Sequence, residues 1–333
     1  MMCAMVAALA ATLLAPRGPA LGIENTRFTL NGKPTFLLGI SYYGGLGAPD
    51  RILQRDLDAL KRNGFNWIRV WATWSFRDAD VSAVDAPGVP RSPYMERLVR
   101  LVDECGKRGI VVDVTLSRGR AAIGGGIPDG AAHETAVRSV IAALKGRRNW
   151  YLDLANERDV RDARYVATKE IRALRDLASK LEPTLPVTAS FGGHDLGEDY
   201  IREALVDADL DFVAPHRPRH KGSPAETERH TRDCLATMRR MGSVAPVHYQ
   251  EPFRRGYGNW QPVAADFLAD LRGAVEGGAA GWCLHNGSNR GADVSGPWRS
   301  FDMREQGLME QLDDEEMEVV RQARAVVLRA QKS

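Results

Sequence analysis

The chain has 333 residues, 44% of them hydrophobic and 26% charged, with a formal net charge of +2. That length can bury a large core and is ordinary for one eight-stranded parallel barrel. The near-neutral balance argues against nucleic acid as a partner, because phosphate binding relies on clustered basic charge. No run reaches the roughly 20 apolar residues of a membrane span.

Met1 to Ala15 is an uncharged Ala/Leu/Met/Val run, followed by Pro16-Arg-Gly-Pro-Ala-Leu-Gly22. With its small-residue exit it reads as a secretory leader over 1–22, although the basic leading segment of such signals is missing. The expectation is an exported protein, secreted or periplasmic, whose mature chain of 23–333 starts near Ile23. A disordered N-terminus is the alternative. Once Cys3 is set aside with the leader, Cys105, Cys234 and Cys283 remain, an odd number at wide spacing and no disulfide framework. No CxxC, HExxH or tight His/Asp cluster appears, so neither a metal nor another cofactor is expected.

Phe28 to Gly39 reads as a β-hairpin turned at Asn31-Gly32, and its second arm runs through Ile40-Ser-Tyr-Tyr43 as a first barrel strand. An alternation follows. Arg51 to Asn63 is an amphipathic helix stopped by Gly64, and Phe65 to Trp71 a strand. Tyr94 to Arg108 is a helix ended by Gly109, and Ile110 to Leu116 a strand. Ala132–Leu144, Ala163–Leu181, Tyr200–Val206, Thr227–Met241 and Val263–Glu276 are the next helices. Strands are expected at Trp150–Ala155, Pro186–Phe191, Leu210–Pro215, near Pro246–Tyr249 and at Ala279–Leu284, with a last helix over Met309–Ala330. Eight strands alternating with helices over short connections predict a (β/α)8 barrel with a short N-terminal hairpin, forming one domain. A doubly wound open sheet would need a phosphate-binding glycine turn, and Gly44-Gly-Leu-Gly47 lacks the GxGxxG spacing.

Chemistry in such a barrel collects at the carboxyl ends of the strands. Here those ends read Tyr42-Tyr43, Arg69-Val-Trp71, Ser117-Arg118, Asn156-Glu157, Phe191, His216-Arg217, Glu251 and Trp282 onward. Only the fourth and seventh end in glutamate. Two carboxylates on neighbouring strand ends can cleave a glycosidic bond, one giving a proton to the leaving oxygen and the other attacking or stabilising the anomeric carbon. Period-two alternation also turns Asp153 inward, deeper, as a core hydrogen-bonding group. Arg69 would need a counter-charge in the barrel mouth, and Glu251 is the natural one; an arginine bridging strand and helix is the bland alternative. His216 could donate to substrate or to the attacking carboxylate, Glu251, or be structural. Trp71, Trp74, Trp260, Trp282 and Trp298 fall at or beyond strand ends, where rings could stack on sugar faces or simply pack.

These pieces resemble the glycoside hydrolase clan A barrels, above all the family 5 cellulase and mannanase group, over residues 26–330. The matching segments are the Phe28-Thr-Leu-Asn-Gly-Lys-Pro hairpin leading into Gly39-Ile-Ser-Tyr-Tyr43, Gly64-Phe-Asn-Trp-Ile-Arg-Val-Trp71, Leu152-Asp-Leu-Ala-Asn-Glu157, Glu251, and Gly281-Trp282. The resemblance implies a retaining β-glycosidase acting on an oligo- or polysaccharide. Glu157 would be its acid/base, Glu251 its nucleophile and Asn156 the donor to the sugar 2-hydroxyl. Arg69 and His216 would be supporting polar groups and Trp282 a sugar platform, with Tyr43, Trp71 and Tyr249 also lining the substrate site. Two departures stand out. Leu116-Ser-Arg118 replaces the histidine often found after strand three, and His216-Arg-Pro218 lacks the tyrosine that usually touches the nucleophile. Tyr43 or Tyr249 could substitute. A carbohydrate-binding barrel without activity stays open as the rival reading.

Overall fold

The computed structural model describes residues 18–76, 79–116, 126–160, 164–256, 259–287 and 299–332. Residues 1–17 of the expected leader, Ser117-Arg118 and Trp298 lie outside them.

The sheet runs Val187–Thr188, Trp150–Asp153, Val111–Thr115, Trp67–Trp71, Leu37–Ser41, Gly281–Leu284, His248–Tyr249, with every neighbouring pair parallel. The segment expected as the sixth strand closes the ring through single parallel bridges. Phe191 pairs with Pro215 on one side, and Val213 with Val247 and His216 with Glu251 on the other. The protein is therefore a (β/α)8 barrel. The sixth strand is reduced to bridges, and Pro215 removes a backbone donor at its end.

Alternation along the strands sorts side chains into two cores. Leu37, Trp67, Val111, Tyr151, Phe212, Ala280 and Cys283 cluster together, while Leu38, Ile40, Ile68, Val70, Val112, Val114 and Leu152 belong to the larger cluster that includes the helices. The first set fills the barrel. Its amino end is closed by the N-terminal sheet, in which Leu21–Glu24 pairs with Arg27–Leu30 and that with Lys33–Thr35. Asn31 and Gly32 take φ of 51° and 75°, the left-handed pair that a two-residue hairpin turn requires. The hairpin inserts Phe28, fully buried, edge-on to Phe212 at 5.1 Å and to His248 at 5.2 Å. Leu21 and Gly22 belong to this sheet, and the Leu21 amide bonds to the Arg148 carbonyl at 2.8 Å. A cut before Ile23 would thus remove two paired strand residues.

Most helices match expectation, among them Asp50–Arg62, Tyr94–Arg108, Gly130–Leu144, Ser223–Met241 and Ala264–Gly277. Thr168–Leu181 starts later than Ala163, since Arg158 takes the Val166 carbonyl at 2.8 Å and holds that stretch against the barrel end. The expected terminal helix is two, Leu308–Gln311 and Asp314–Ala330. Asp313 caps the second, its carboxylate accepting from the Glu316 amide while Glu316 reaches back to the Asp313 amide, each at 2.9 Å. Among the described residues no helix is long and apolar enough to cross a membrane.

Removing the plug should be felt by the whole barrel. Phe28→Ala is expected to cost about 3–5 kcal/mol of unfolding free energy, measured by urea denaturation. A loss below about 1 kcal/mol would mean that the hairpin is not part of the cooperative core.

Candidate active site

The interior of the barrel changes from apolar to charged one layer above Trp67. Arg69, the next inward residue of the second strand, is wholly buried. Its Nε donates to Thr115 Oγ1 at 3.1 Å and lies 3.2 Å from Asp113 Oδ2. Nη2 donates to Asp153 Oδ2 at 3.1 Å and to Asn156 Oδ1 at 2.8 Å, and Nη1 donates to Glu251 Oε1. Three carboxylates from the third, fourth and seventh strands thus converge on one guanidinium, and burial makes that pairing obligatory. Asp153 is the buried core group that alternation suggested; it also accepts from the amides of Ala155 and Ser190, each at 3.2 Å.

Asn156 and Glu157 follow the fourth strand in a tight turn. Glu157 has φ of 51°, a left-handed conformation that costs a non-glycine residue about 1 kcal/mol or more. The turn is fastened on both sides. The Asn156 amide donates to the Leu116 carbonyl at 2.9 Å, the Glu157 amide to Ser190 Oγ at 3.0 Å and the Arg158 amide to the Ser190 carbonyl at 3.0 Å. Gly192 passes so close behind that a Cβ there would sit 2.3 Å from Val160 Cγ2 and 3.2 Å from Glu157 Cβ.

Facing Glu157 across the mouth is Glu251, and His216 stands between them. The imidazole Nδ1 lies 3.1 Å from Glu157 Oε1 and 3.5 Å from Glu251 Oε2. One oxygen of each carboxylate and one nitrogen of His216 all fall within 4.8 Å of one another. The second oxygen of Glu251 also meets His285 Nε2 at 3.3 Å and Arg219 Nη2 at 2.9 Å; the same Arg219 nitrogen is 3.8 Å from Glu157 Oε1. The trio could in principle ligate a cation. A divalent ion at Glu251, however, would meet two guanidiniums already in contact with that carboxylate, an unfavourable neighbourhood for it.

Burial alone would raise the Glu251 carboxyl. The positive charge around it, from His216 and His285 when protonated and from Arg69 and Arg219 always, overrides burial and holds it well below the usual range. His285 is itself kept neutral, because burial drives its pKa far down. The permanent part of the effect is therefore the two arginines. Burial also raises Glu157, but the hydrogen bond and charge of His216 outweigh it, so its pKa is lowered, less than that of Glu251. Glu157 thus keeps the higher pKa of the two glutamates, though His216 holds it below its ordinary value in the free protein.

Of the residues expected to form the site, Glu157, Glu251, Asn156, Arg69 and His216 come together. Tyr43 and Trp71 back them. Trp71 lies under the Arg69 guanidinium at 4.5 Å and stacks on Tyr43 with centroids 4.5 Å apart. The Tyr43 hydroxyl meets His285 Nδ1 at 3.0 Å and takes a hydrogen bond from Arg254 Nη1 at 3.3 Å. Trp282 and Tyr249 are corrections. Trp282 is fully buried and its indole donates to Asp270 of helix Ala264–Gly277 at 2.6 Å; Tyr249 is bonded to Thr231 of helix Ser223–Met241, also at 2.6 Å. Both point out of the barrel into the helix layer, so neither can hold a sugar in its mouth. Trp74 packs against Trp71 and Phe301, and Trp260 against Phe253.

His285, Arg219 and Arg254 were missed. Alternation could have found the first, since Gly281, Cys283 and His285 share the inward face that Trp282 does not. Beneath Arg69 there is a second unforeseen network. Asp113 Oδ2 accepts from the Tyr151 hydroxyl at 2.9 Å and from Gln250 Nε2 at 2.7 Å, and His248 Nε2 lies 2.9 Å from the same hydroxyl.

No sequence family and no curated protein matches the chain. Solved structures do. A family 5 glycoside hydrolase from Bacteroides vulgatus superposes with a TM-score of 0.68 at 16% identity, covering 90% of this chain and 69% of that one. The endo-1,4-β-mannanase of Rhizomucor miehei gives 0.63 at 13%, covering 93% and 99%. The exo-β-1,4-mannosidase of an Opitutaceae bacterium gives 0.63 at 18%, covering 90% of this chain but only 61% of that one. The chain has the fold of these glycoside hydrolases.

The Asp113 network gives a pH test. Burial pushes the Asp113 carboxyl up to about 7 against the pull of Arg69, with Asp153 adding to the rise. An unfolded aspartate loses its proton near pH ~4. Between the two values the folded protein binds the extra proton, so this group makes stability fall as pH rises. Asp113→Asn removes that dependence, and is expected to gain on the wild type between about pH 4 and pH 8. Urea denaturation of both proteins across that range reads it; a constant difference would contradict a raised Asp113.

Proposed function

We propose that the protein is a retaining β-glycosidase in which Glu251 is the nucleophile and Glu157 the acid/base. The observation that carries this reading is the approach of one oxygen of Glu157 and one of Glu251 to within 4.8 Å, from two strand ends on the open face of the barrel. Retaining enzymes hold their carboxyl groups about 5–5.5 Å apart, whereas inverting enzymes leave about 6.5–9.5 Å for a water molecule. Their environments also support distinct roles, since Glu251 is the more strongly ionised and carries a permanent arginine partner.

In the first step a Glu251 oxygen attacks the anomeric carbon as the glycosidic C–O bond breaks, and Glu157 gives its proton to the departing oxygen. A covalent glycosyl ester on Glu251 results. In the second step Glu157, now a carboxylate, takes a proton from water, whose oxygen attacks the anomeric carbon and releases Glu251. Entry of a sugar strips water from Glu157 and raises its pKa towards the working range. Asn156 accepts from Arg69 through its oxygen, and its side-chain amide is the group assigned as donor to the sugar 2-hydroxyl. The mannanase and mannosidase among the structural neighbours favour a β-linked glycan as the substrate class. The apolar N-terminal run supports export of the protein, testable by N-terminal sequencing of the form recovered outside the cell.

A panel of aryl β-glycosides and dyed β-glucans, mannans and xylans tests the activity. Glu251→Ala is expected to lower kcat/KM by about 10⁴-fold or more on every substrate cleaved. Glu157→Ala should spare the first step for dinitrophenyl glycosides, which need no proton, and added azide should accelerate it and yield the β-glycosyl azide. Full activity in Glu251→Ala would overturn the assignment, and no cleavage of any substrate would favour the non-hydrolytic alternative.

A further inference from the structure

The space a sugar must enter between Glu157 and Glu251 is occupied in the free protein by a side chain. Arg219 Nη2 stands 2.9 Å from Glu251 Oε2 and 3.8 Å from Glu157 Oε1, so one guanidinium bridges both carboxylates. Glu251 Oε1 is committed to Arg69 on the inner side. Oε2 is then the oxygen that remains for attack on an anomeric carbon, and Arg219 covers it. The arginine is reached through a bend, not fixed in a strand. It follows Pro218 in the loop after the sixth strand and precedes His220 and Lys221, both exposed. Its side chain is 17% exposed, against none for Arg69, which places it at the mouth of the site.

A second arginine stands near by. Arg254, three residues after Glu251, donates to the Tyr43 hydroxyl at 3.3 Å, and that hydroxyl is in contact with His285, itself 3.3 Å from Glu251 Oε2. Arg219 and Arg254 both lie close enough to bear on the titration of Tyr43 and of His285. The mouth therefore holds two guanidiniums where the reaction itself requires none beyond Arg69.

A neutral sugar that pushed Arg219 off Glu251 would break a partly buried ion pair and offer nothing in exchange, which is unfavourable. A substrate with its own anion would take the guanidinium over in a two-pronged contact and uncover Oε2 at the same moment. We propose, resting on the glycosidase reading above, that the sugar cleaved here carries a negative substituent, a uronic acid carboxylate or a sulfate ester, and that Arg219 is its recognition residue. Arg219 then acts as a gate as well as a reader, because the same anion that binds it releases the nucleophile.

The experiment compares kcat/KM for nitrophenyl β-glycosides in matched trios that differ only at C6: the neutral sugar, its uronide and its 6-sulfate, in the gluco, manno and galacto series. Wild type is expected to prefer one acidic member over its neutral partner by about tenfold or more. Which acid wins separates carboxylate from sulfate. Arg219→Ala should bring the acid-to-neutral ratio close to one, and Arg219→Lys should restore part of it. Cleavage of the neutral member as fast as both acidic ones, or an equal loss on all three in Arg219→Ala, would overturn the proposal and leave the glycosidase reading intact. If no member is cleaved, calorimetric binding of the matching methyl glycosides reads the same ratio. An acid preference in binding that depends on Arg219 would still support the recognition role, and its absence would overturn it.

Discussion

A guanidinium buried inside a barrel has to be surrounded by anions, and everything at the mouth of this one is arranged around that constraint. Arg69 draws Asp113, Asp153 and Glu251 to itself from three different strands, and fixes Asn156 through its carbonyl oxygen. Each partner is thereby set at a defined height above the apolar layer of Trp67 and Tyr151. Take Arg69 away and Asp113 and Asp153 would lose the guanidinium they share, while Glu251, of its two guanidinium partners, would keep only Arg219 at the mouth. The fold would answer with water, with protonation or with rearrangement.

The same ion cluster divides the labour of the two glutamates. Glu251 is in contact with Arg69 and stays ionised. Glu157 faces the imidazole of His216 and the open mouth, and is the less depressed of the pair. Its left-handed backbone turn, pinned by Ser190 and Leu116, is the strained element of the site and sets the angle at which its carboxyl meets Glu251. In the proposed reaction that contrast separates the group that bonds to carbon from the group that carries the proton.

Much of this was legible in the chain. The hairpin turn at Asn31-Gly32, the alternation of helices and strands, and the placement of Glu157, Glu251, Arg69 and His216 at strand ends follow from local chemistry and period-two geometry. The failures have separate causes. Trp282 and Tyr249 were placed at the mouth through the family resemblance, although the alternation that turns Cys283 and Gln250 inward turns them out. Arg219 and Arg254 sit in loops, where no periodicity says which way a side chain faces. The sixth strand was legible as a position, yet it survives only as bridges, with a proline at its end.

The central claim is that Glu251 bonds to carbon. Incubation with 2-deoxy-2-fluoro β-glycosides bearing a dinitrophenyl leaving group, neutral and acidic, traps such an intermediate, and peptide mapping by mass spectrometry locates it. The account predicts one glycosyl adduct per chain, carried by Glu251. An adduct on another residue, or turnover with inversion at the anomeric carbon and no adduct, would contradict it.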